Sequence, residues 1–236
     1  MHNMPGMPQG HLVFREGPMM ASSDKVLITL RGIGGHGAMP HGTADPVVAA
    51  SSVVMALQTV VSRNVDPRQT AVVTVGVLSA GTANNVIPDS AYLELSVRAL
   101  QPEVRALLQS RIQDLVHAQA QSLGCTAHID YQSGYPALVN TLAETQLARD
   151  VAVALVGQER VVMQGPALTG SEDFAFMLQQ RPGSYLLIGN GDGDDAGACM
   201  VHNPGYDFND ANIPLGAAYW THLVERYLDA ARGDQA

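Results

Sequence analysis

Val26-Leu27-Ile28-Thr29-Leu30-Arg31, followed at once by Gly32-Ile33-Gly34-Gly35-His36-Gly37, decides how this chain folds. Val26, Ile28 and Leu30 alternate with Leu27, Thr29 and Arg31 in the period-2 pattern of a strand, and the glycines mark a tight turn. Asp45-Pro46 then sets a capping residue before a proline suited to the first helical position, and Val47, Ala50, Val54, Leu57 and Val61 recur at helical spacing. Residues 71–78 and 91–99 are rich in β-formers, and the link between them carries Gly81 and Pro88. Pro102 opens a second helix with Val104, Leu108, Ile112 and Leu115 on one face and Gly124 as its stop. Ala127, Ile129 and Tyr131 alternate on a last strand. The order βαββαβ over about residues 23–133 predicts a ferredoxin-like unit, a four-stranded sheet with two helices on one face.

The flanks differ in texture. Residues 1–20 are rich in Pro, Gly and Met with little periodicity, and are expected to be loop and short strand, untethered when alone. After Gly134-Tyr135-Pro136 the pattern turns to α/β alternation. Thr141 and Glu144 stand in capping-box spacing before a helix ending near Gly157. A strand at 161–163, a helix from Ser171, a strand at 185–188 and a final helix from Pro214 to about Leu228 complete it.

Composition narrows the function classes. At 236 residues, 46% hydrophobic and 15% charged, the chain is long enough for one or two globular domains. A formal charge of -9 argues against nucleic acid or an anionic membrane as partner and favours a small molecule. Cys125 and Cys199 stand far apart without CxxC spacing, so neither a disulfide framework nor a thiolate metal cluster is expected, and a cytoplasmic location is the default. No basic segment followed by an apolar stretch opens the chain, and no apolar run is expected to reach the roughly 20 residues of a membrane-spanning helix.

Four strings occur together and in order: Gly34-Gly35-His36-Gly37-Ala38-Met39-Pro40-His41, Gly81-Thr82-Ala83-Asn84-Asn85-Val86-Ile87-Pro88-Asp89, Gly170-Ser171-Glu172-Asp173-Phe174, and Val201-His202-Asn203-Pro204-Gly205-Tyr206-Asp207-Phe208. With them the chain resembles the dinuclear-metal aminoacylase and hippurate hydrolase family, which includes carboxypeptidase G-like peptidases. The resemblance runs through essentially all of the sequence. It implies an α/β fold in which a ferredoxin-like α+β lid, the dimerisation domain, is inserted in a metallohydrolase catalytic domain that is incomplete here. Residues 1–22 are then the end of an upstream catalytic segment, 23–133 the lid, and 134–236 the C-terminal part of the catalytic domain. The resemblance also implies an upstream half that supplies most metal ligands and a glutamate base. No Glu-Glu dipeptide occurs in this chain.

His2 and His202 match the family's ligand segments, and neutral imidazole suits Zn, Mn or Co. Two such ions would serve each complete site. Two histidines alone do not close a site that takes about four ligands, so this chain is expected to bind metal poorly. The resemblance places His36, on its glycine-dense turn, in the partner subunit's active site, where a donor aimed at a developing oxyanion contributes about 3 kcal/mol. Asn85 and Arg98 match positions that hold the substrate's carbonyl or carboxylate, a task for which an Arg fork is suited. Asn85 is also readable as a turn-former and Arg98 as a solvated edge residue. Ser171 reads equally as a helix cap, with Glu172 and Asp173 in the first turn, or as a contact at the active-site rim.

The expectation is a metal-dependent amidohydrolase that cleaves N-acyl amino acids, a homodimer through its lid, present here as a fragment. Two rivals stay open: a non-catalytic dimerisation module, and a dipeptidase or carbamoyl-amide hydrolase of the same family. The segments flanking the lid are expected to expose apolar surface.

Overall fold

The computed structural model describes residues 1–233. In chain order its elements are β1 (His2–Pro5), β2 (Leu12–Val13), β3 (Gly17–Met20), β4 (Asp24–Arg31), β5 (Gly35–His36), α1 (Pro46–Asn64), β6 (Ala71–Ala80), β7 (Val86–Ile87) and β8 (Ser90–Ala99). They continue with α2 (Pro102–Ser122), β9 (Thr126–Ser133), β10 (Leu138–Asn140), α3 (Leu142–Val156), β11 (Val161–Val162), α4 (Phe174–Leu178), β12 (Leu187–Gly191) and α5 (Asn212–Gly233). Two compact units result. One comprises Met20–Leu138 and Leu168–Ala175; the other comprises Met1–Met19, Val139–Ala167 and the chain from Phe176 onward.

The first unit is built on a sheet of order β6-β8-β4-β9 in which every neighbouring pair is antiparallel. This is the ferredoxin-like arrangement that the βαββαβ order predicts. Val26, Ile28 and Leu30 of β4 are fully buried, and Leu93, Leu95 and Val97 of β8 join them against α1 and α2. Each such aliphatic side chain withdrawn from water is worth about 1.5–3 kcal/mol. Asp45 caps α1 as expected, its Oδ1 accepting the Val47 N–H at 2.8 Å.

The buried stripe of α1 is not the predicted one. Ala49, Ala50, Val53, Leu57 and Val60 enter the core, whereas Val47 is 40% exposed and Val54 and Val61 are only partly buried. Valines occur in adjacent pairs here (Val47-Val48, Val53-Val54, Val60-Val61), so two helical registers fit the sequence equally well. By length and composition α1 is also apolar enough to cross a membrane, contrary to expectation; its inner face packs into the core of this unit.

One charged network holds the end of this sheet. The fully buried Asp24 carboxylate accepts from the Arg105 guanidinium, from the Tyr131 hydroxyl at 3.1 Å and from the Gly134 N–H at 3.0 Å. Burial first, and then the Asp24 charge, pushes the Tyr131 phenol well above its ordinary value.

The second unit shows the short strands expected in the first twenty residues but overturns the expectation that they are untethered. They are tethered: its sheet has the order β1-β12-β2-β11, with β1 parallel to β12, β2 antiparallel to β12 and β11 parallel to β2. Leu12 and Phe14 are fully buried beside Ala152 of α3 and Tyr219 of α5. Strands this short, paired across well over a hundred residues, leave no local periodicity to read.

Three boundaries also shift. The Thr141 hydroxyl bonds the Glu144 carboxylate and accepts from the Gly183 N–H at 3.0 Å, so it caps no backbone donor of α3. The predicted strand at 185–188 forms at Leu187–Gly191, and the helix predicted from Ser171 starts at Phe174, so Ser171 is not its cap. The last helix runs from Asn212 rather than Pro214. Beside its buried Tyr219, α5 leaves Ile213, Trp220, Val224 and Tyr227 exposed along one line at helical spacing, an uncovered apolar stripe of the kind expected.

Candidate functional site

In the second unit, His2 lies on β1 opposite Leu187 of β12. Its Nδ1 meets the Asn3 carbonyl at 2.7 Å. A carbonyl only accepts, so Nδ1 carries the proton and Nε2 keeps its lone pair, the form in which imidazole ligates a cation. Backbone geometry thus leaves the lone pair of His2 at Nε2.

His202 sits on an exposed turn at φ +65, the one non-glycine residue with positive φ among the described residues. Such a conformation costs on the order of 1–3 kcal/mol in a non-glycine residue and persists where its surroundings impose it. The loop that carries it is held by three asparagines. Asn3 donates from Nδ2 to the Tyr206 hydroxyl at 2.8 Å. Asn190, fully buried, donates to the carbonyls of Gly197 and Asp207, both at 2.8 Å, and accepts the Asn209 N–H at 2.8 Å. Asn212 donates to Asn3 Oδ1 at 3.0 Å and to the Gly189 carbonyl at 2.9 Å. The strand carrying His2 and the loop carrying His202 are therefore laced together. Sequence reading missed this lacing because asparagine signals a turn-former; the one available clue was that Asn3 adjoins His2.

In the first unit, β5 and β7 form a short ribbon that prolongs β4 and β8 beyond the end of the sheet. His36 pairs with Val86, and the Gly37 N–H reaches the Asn85 carbonyl at 2.8 Å. His36 and Asn85, 49 positions apart by their numbers, are neighbours at the exposed tip. The glycines make this approach possible: a Cβ on Gly34 would stand 2.8 Å from the Ile87 carbonyl oxygen. A shallow groove of about 500 Å3 runs alongside, lined by Asp45, Val47 and residues of the 80–88 link.

Arg98 and Ser171 belong elsewhere in the same unit. The Arg98 Nη1 donates to the Thr169 carbonyl at 3.0 Å, and the Ala21 N–H holds the same segment through the carbonyls of Leu168 and Gly170. Arg98 thereby orders the loop that presents Ser171, and among the described residues its other guanidinium donors take no partner. Arg98 lies eight positions along β8 from Ser90, where the strand enters from the ribbon. At ~3.3 Å per residue that is roughly 25 Å, far longer than an N-acyl amino acid. The fold thus brings His36 to Asn85 and Arg98 to the Ser171 loop, and keeps the two pairs apart within one chain. Near Ser171 the Asp173 carboxyl is held above its ordinary range, chiefly by hydrogen bonding to Glu172 and then by the Glu172 charge.

A His-x-Asp string, His128-Ile129-Asp130, lies on β9 of this unit with both outer residues exposed. Among the described residues no group of three or more His, Cys, Asp or Glu side chains is placed to hold a metal ion.

The sequence model described as Peptidase family M20/M25/M40 matches residues 1–226, and the chain belongs to that family. It is 37% identical to the hippurate hydrolase of Campylobacter jejuni over 227 residues, covering 96% of this chain and 58% of that protein. It is 35% identical over 230 residues to the N-acetyl-L-cysteine deacetylase of Bacillus subtilis, covering 98% of this chain and 53% of the other. Among solved structures, the Bacillus subtilis YXEP protein, described as a dinuclear metal binding peptidase from the M20 family, superposes with a TM-score of 0.75 at 27% identity. That match covers 94% of this chain and 55% of the other. The chain spans about half the length of the curated relatives it matches.

Tested against a metal pair, the residues present fit in part. His2 offers a prepared lone pair and His202 a held position, while catalytic sites usually take three protein ligands per ion.

Proposed function

We propose that this chain contributes the lid and the closing part of the catalytic unit of a metal-dependent amidohydrolase acting on N-acyl amino acids. One observation carries the reading. The His2 ring, with Nδ1 committed to a carbonyl and Nε2 free, lies on a strand laced to the His202 loop, in a chain that matches named hydrolases of N-acyl amino acids over nearly its whole length. His2 and His202 would hold part of a pair of divalent ions, Zn, Mn or Co, and residues outside this chain would complete the set and supply the base. When bound, such ions supply Lewis acidity and a water of lowered pKa.

Within the chain, the Arg98 guanidinium would engage the substrate carboxylate and Ser171 its rim, while His36 and Asn85 would hold the carbonyl oxygen as it gains charge. The roughly 25 Å between the two pairs supports a site shared by two copies, one giving His36 and Asn85 and the other Arg98 and Ser171. Edge strand β6, with Val77 and Leu78 exposed, is the template on which a second copy would pair. The charge of -9 fits partners that are its substrate and its own copy rather than nucleic acid or an anionic membrane, and two cysteines without CxxC spacing fit a cytoplasmic location.

The test compares the 236-residue chain with one extended by the coding sequence immediately upstream, assaying N-benzoyl- and N-acetyl-amino acids with added Mn or Zn and measuring bound metal. Turnover by the extended chain and silence with little bound metal in the shorter one are expected. Turnover by the shorter chain with about two metals would place the base within these residues and sink the incomplete-site reading. Cleavage of dipeptides or carbamoyl compounds in place of N-acyl amino acids would overturn the substrate class. A second reading, a non-catalytic dimerisation module, is favoured by the missing three-ligand group among the described residues. Silence of both chains on every substrate would select it.

A further inference from the structure

The turn that carries His36 employs each of its backbone donors. Gly37 N–H reaches the Asn85 carbonyl at 2.8 Å and Met39 N–H reaches the His36 carbonyl at 2.8 Å. Between them the Ala38 N–H points at the His36 ring and meets Nδ1 at 3.0 Å. A backbone N–H can only donate, so the nitrogen it meets must present a lone pair. A neutral imidazole with its lone pair at Nδ1 carries its proton at Nε2. No residue among those described bonds the His36 Nε2, which lies on the far side of the ring from the turn.

We infer that the Ala38 backbone amide is a positioning group that locks neutral His36 in the Nε2–H form, so that the lid presents a hydrogen-bond donor and neither a base nor a metal ligand. The inference rests on the reading of His36 as the residue that faces substrate, and deepens it. Of the roles open to a histidine near a reacting carbonyl, donor, base or ligand, the turn leaves only the first, because Nδ1 is occupied and Nε2 is protonated. His2 shows the contrast within the same chain. There the backbone partner is a carbonyl, so the proton is at Nδ1 and Nε2 is bare. Two histidines of one composition are set to opposite tasks by whether the main chain offers them an N–H or a C=O.

The experiment is nitrogen NMR of the chain labelled with 15N-histidine, without added metal, at about pH 8 where ordinary imidazoles are neutral. His36 is expected to show mainly a pyridine-like Nδ1 and a protonated Nε2, with the other form a minor share of several-fold lower population, and His2 the reverse. Ala38→Pro removes the donor and should let His36 populate both tautomers; Ala38→Gly keeps the N–H and should restore the single form. Should the Pro variant distort the turn, the wild-type spectrum still decides. A substantial Nδ1–H population at His36, or a single form that survives Ala38→Pro in a turn whose other amide shifts are unchanged, would overturn the inference. The spectra are independent of turnover. A locked tautomer together with full activity of a His36→Ala enzyme would instead remove the functional reading and leave the lock standing.

Discussion

Asn3 and Tyr206 stand 203 residues apart and meet in a 2.8 Å hydrogen bond in which the Asn3 amide donates to the phenol oxygen. That contact ties the first strand of the second unit to the loop holding His202. Tyr206→Phe removes the acceptor and leaves a partly buried amide N–H unsatisfied, a loss of about 1–2 kcal/mol. The variant should unfold at lower denaturant, and the amides of residues 197–209 should exchange faster while those of α3 do not change. Unaltered exchange in that loop would mean that the Asn190 and Asn212 bonds suffice without Tyr206.

His202 supplies a second prediction, because its left-handed backbone is one that glycine adopts without strain. His202→Gly should therefore keep or raise the stability of the chain by up to about 1 kcal/mol in thermal melts. The same substitution should sharply lower metal uptake and turnover in the extended enzyme. A variant that is both less stable and fully active would show that the ring serves packing and that the strain serves nothing.

These two predictions concern what the sequence hid. The ferredoxin-like unit was legible because its information is local: Val26, Ile28 and Leu30 alternate within six residues, and Asp45-Pro46 announces α1 at its first turn. Where the local signal is degenerate, as in the paired valines of α1, the stripe was displaced. In the second unit the elements after Gly134 were legible to within a few residues, but its sheet was not, since β1 and β2 are a few residues long and find their partners across most of the chain. The site divides in the same way. The family strings pointed to His2, His36, Asn85, Arg98, Ser171 and His202, and strand length alone separates Arg98 from Asn85. The lacing by Asn190 and Asn212, the φ of His202 and the choice of ring nitrogen at His2 and His36 arise only when distant backbone groups meet.

A third prediction tests the network at the end of the β6-β8-β4-β9 sheet. Asp24 is fully buried and Arg105 is a quarter exposed, at 24%. Asp24→Asn keeps the shape but strips the guanidinium of its counter-charge, and breaking one side of a buried pair costs about 3–5 kcal/mol. The partial exposure of Arg105 puts the expected loss at the lower end, near ~3 kcal/mol. In the same variant the Tyr131 phenol should titrate at lower pH than in the wild type, because the neighbouring negative charge that helps to raise it is gone. Equal stability with an unmoved Tyr131 titration would show that burial alone sets this tyrosine.

The last prediction concerns the carboxyl pair beside Ser171. Glu172 raises Asp173 above the ordinary carboxylate value, so the folded protein binds its proton more tightly than the unfolded chain does. For a group raised in this sense, the stabilising contribution is fully present below the unfolded pKa, about 4, and is lost as pH rises through the folded value. Asp173→Asn removes this dependence. The variant should come closest to the wild type in melting temperature at about pH 3, below the ordinary carboxylate values, and should melt higher at pH 7. A difference that is constant across the range, or largest at low pH, would show that the two carboxyls do not share a proton in the folded state.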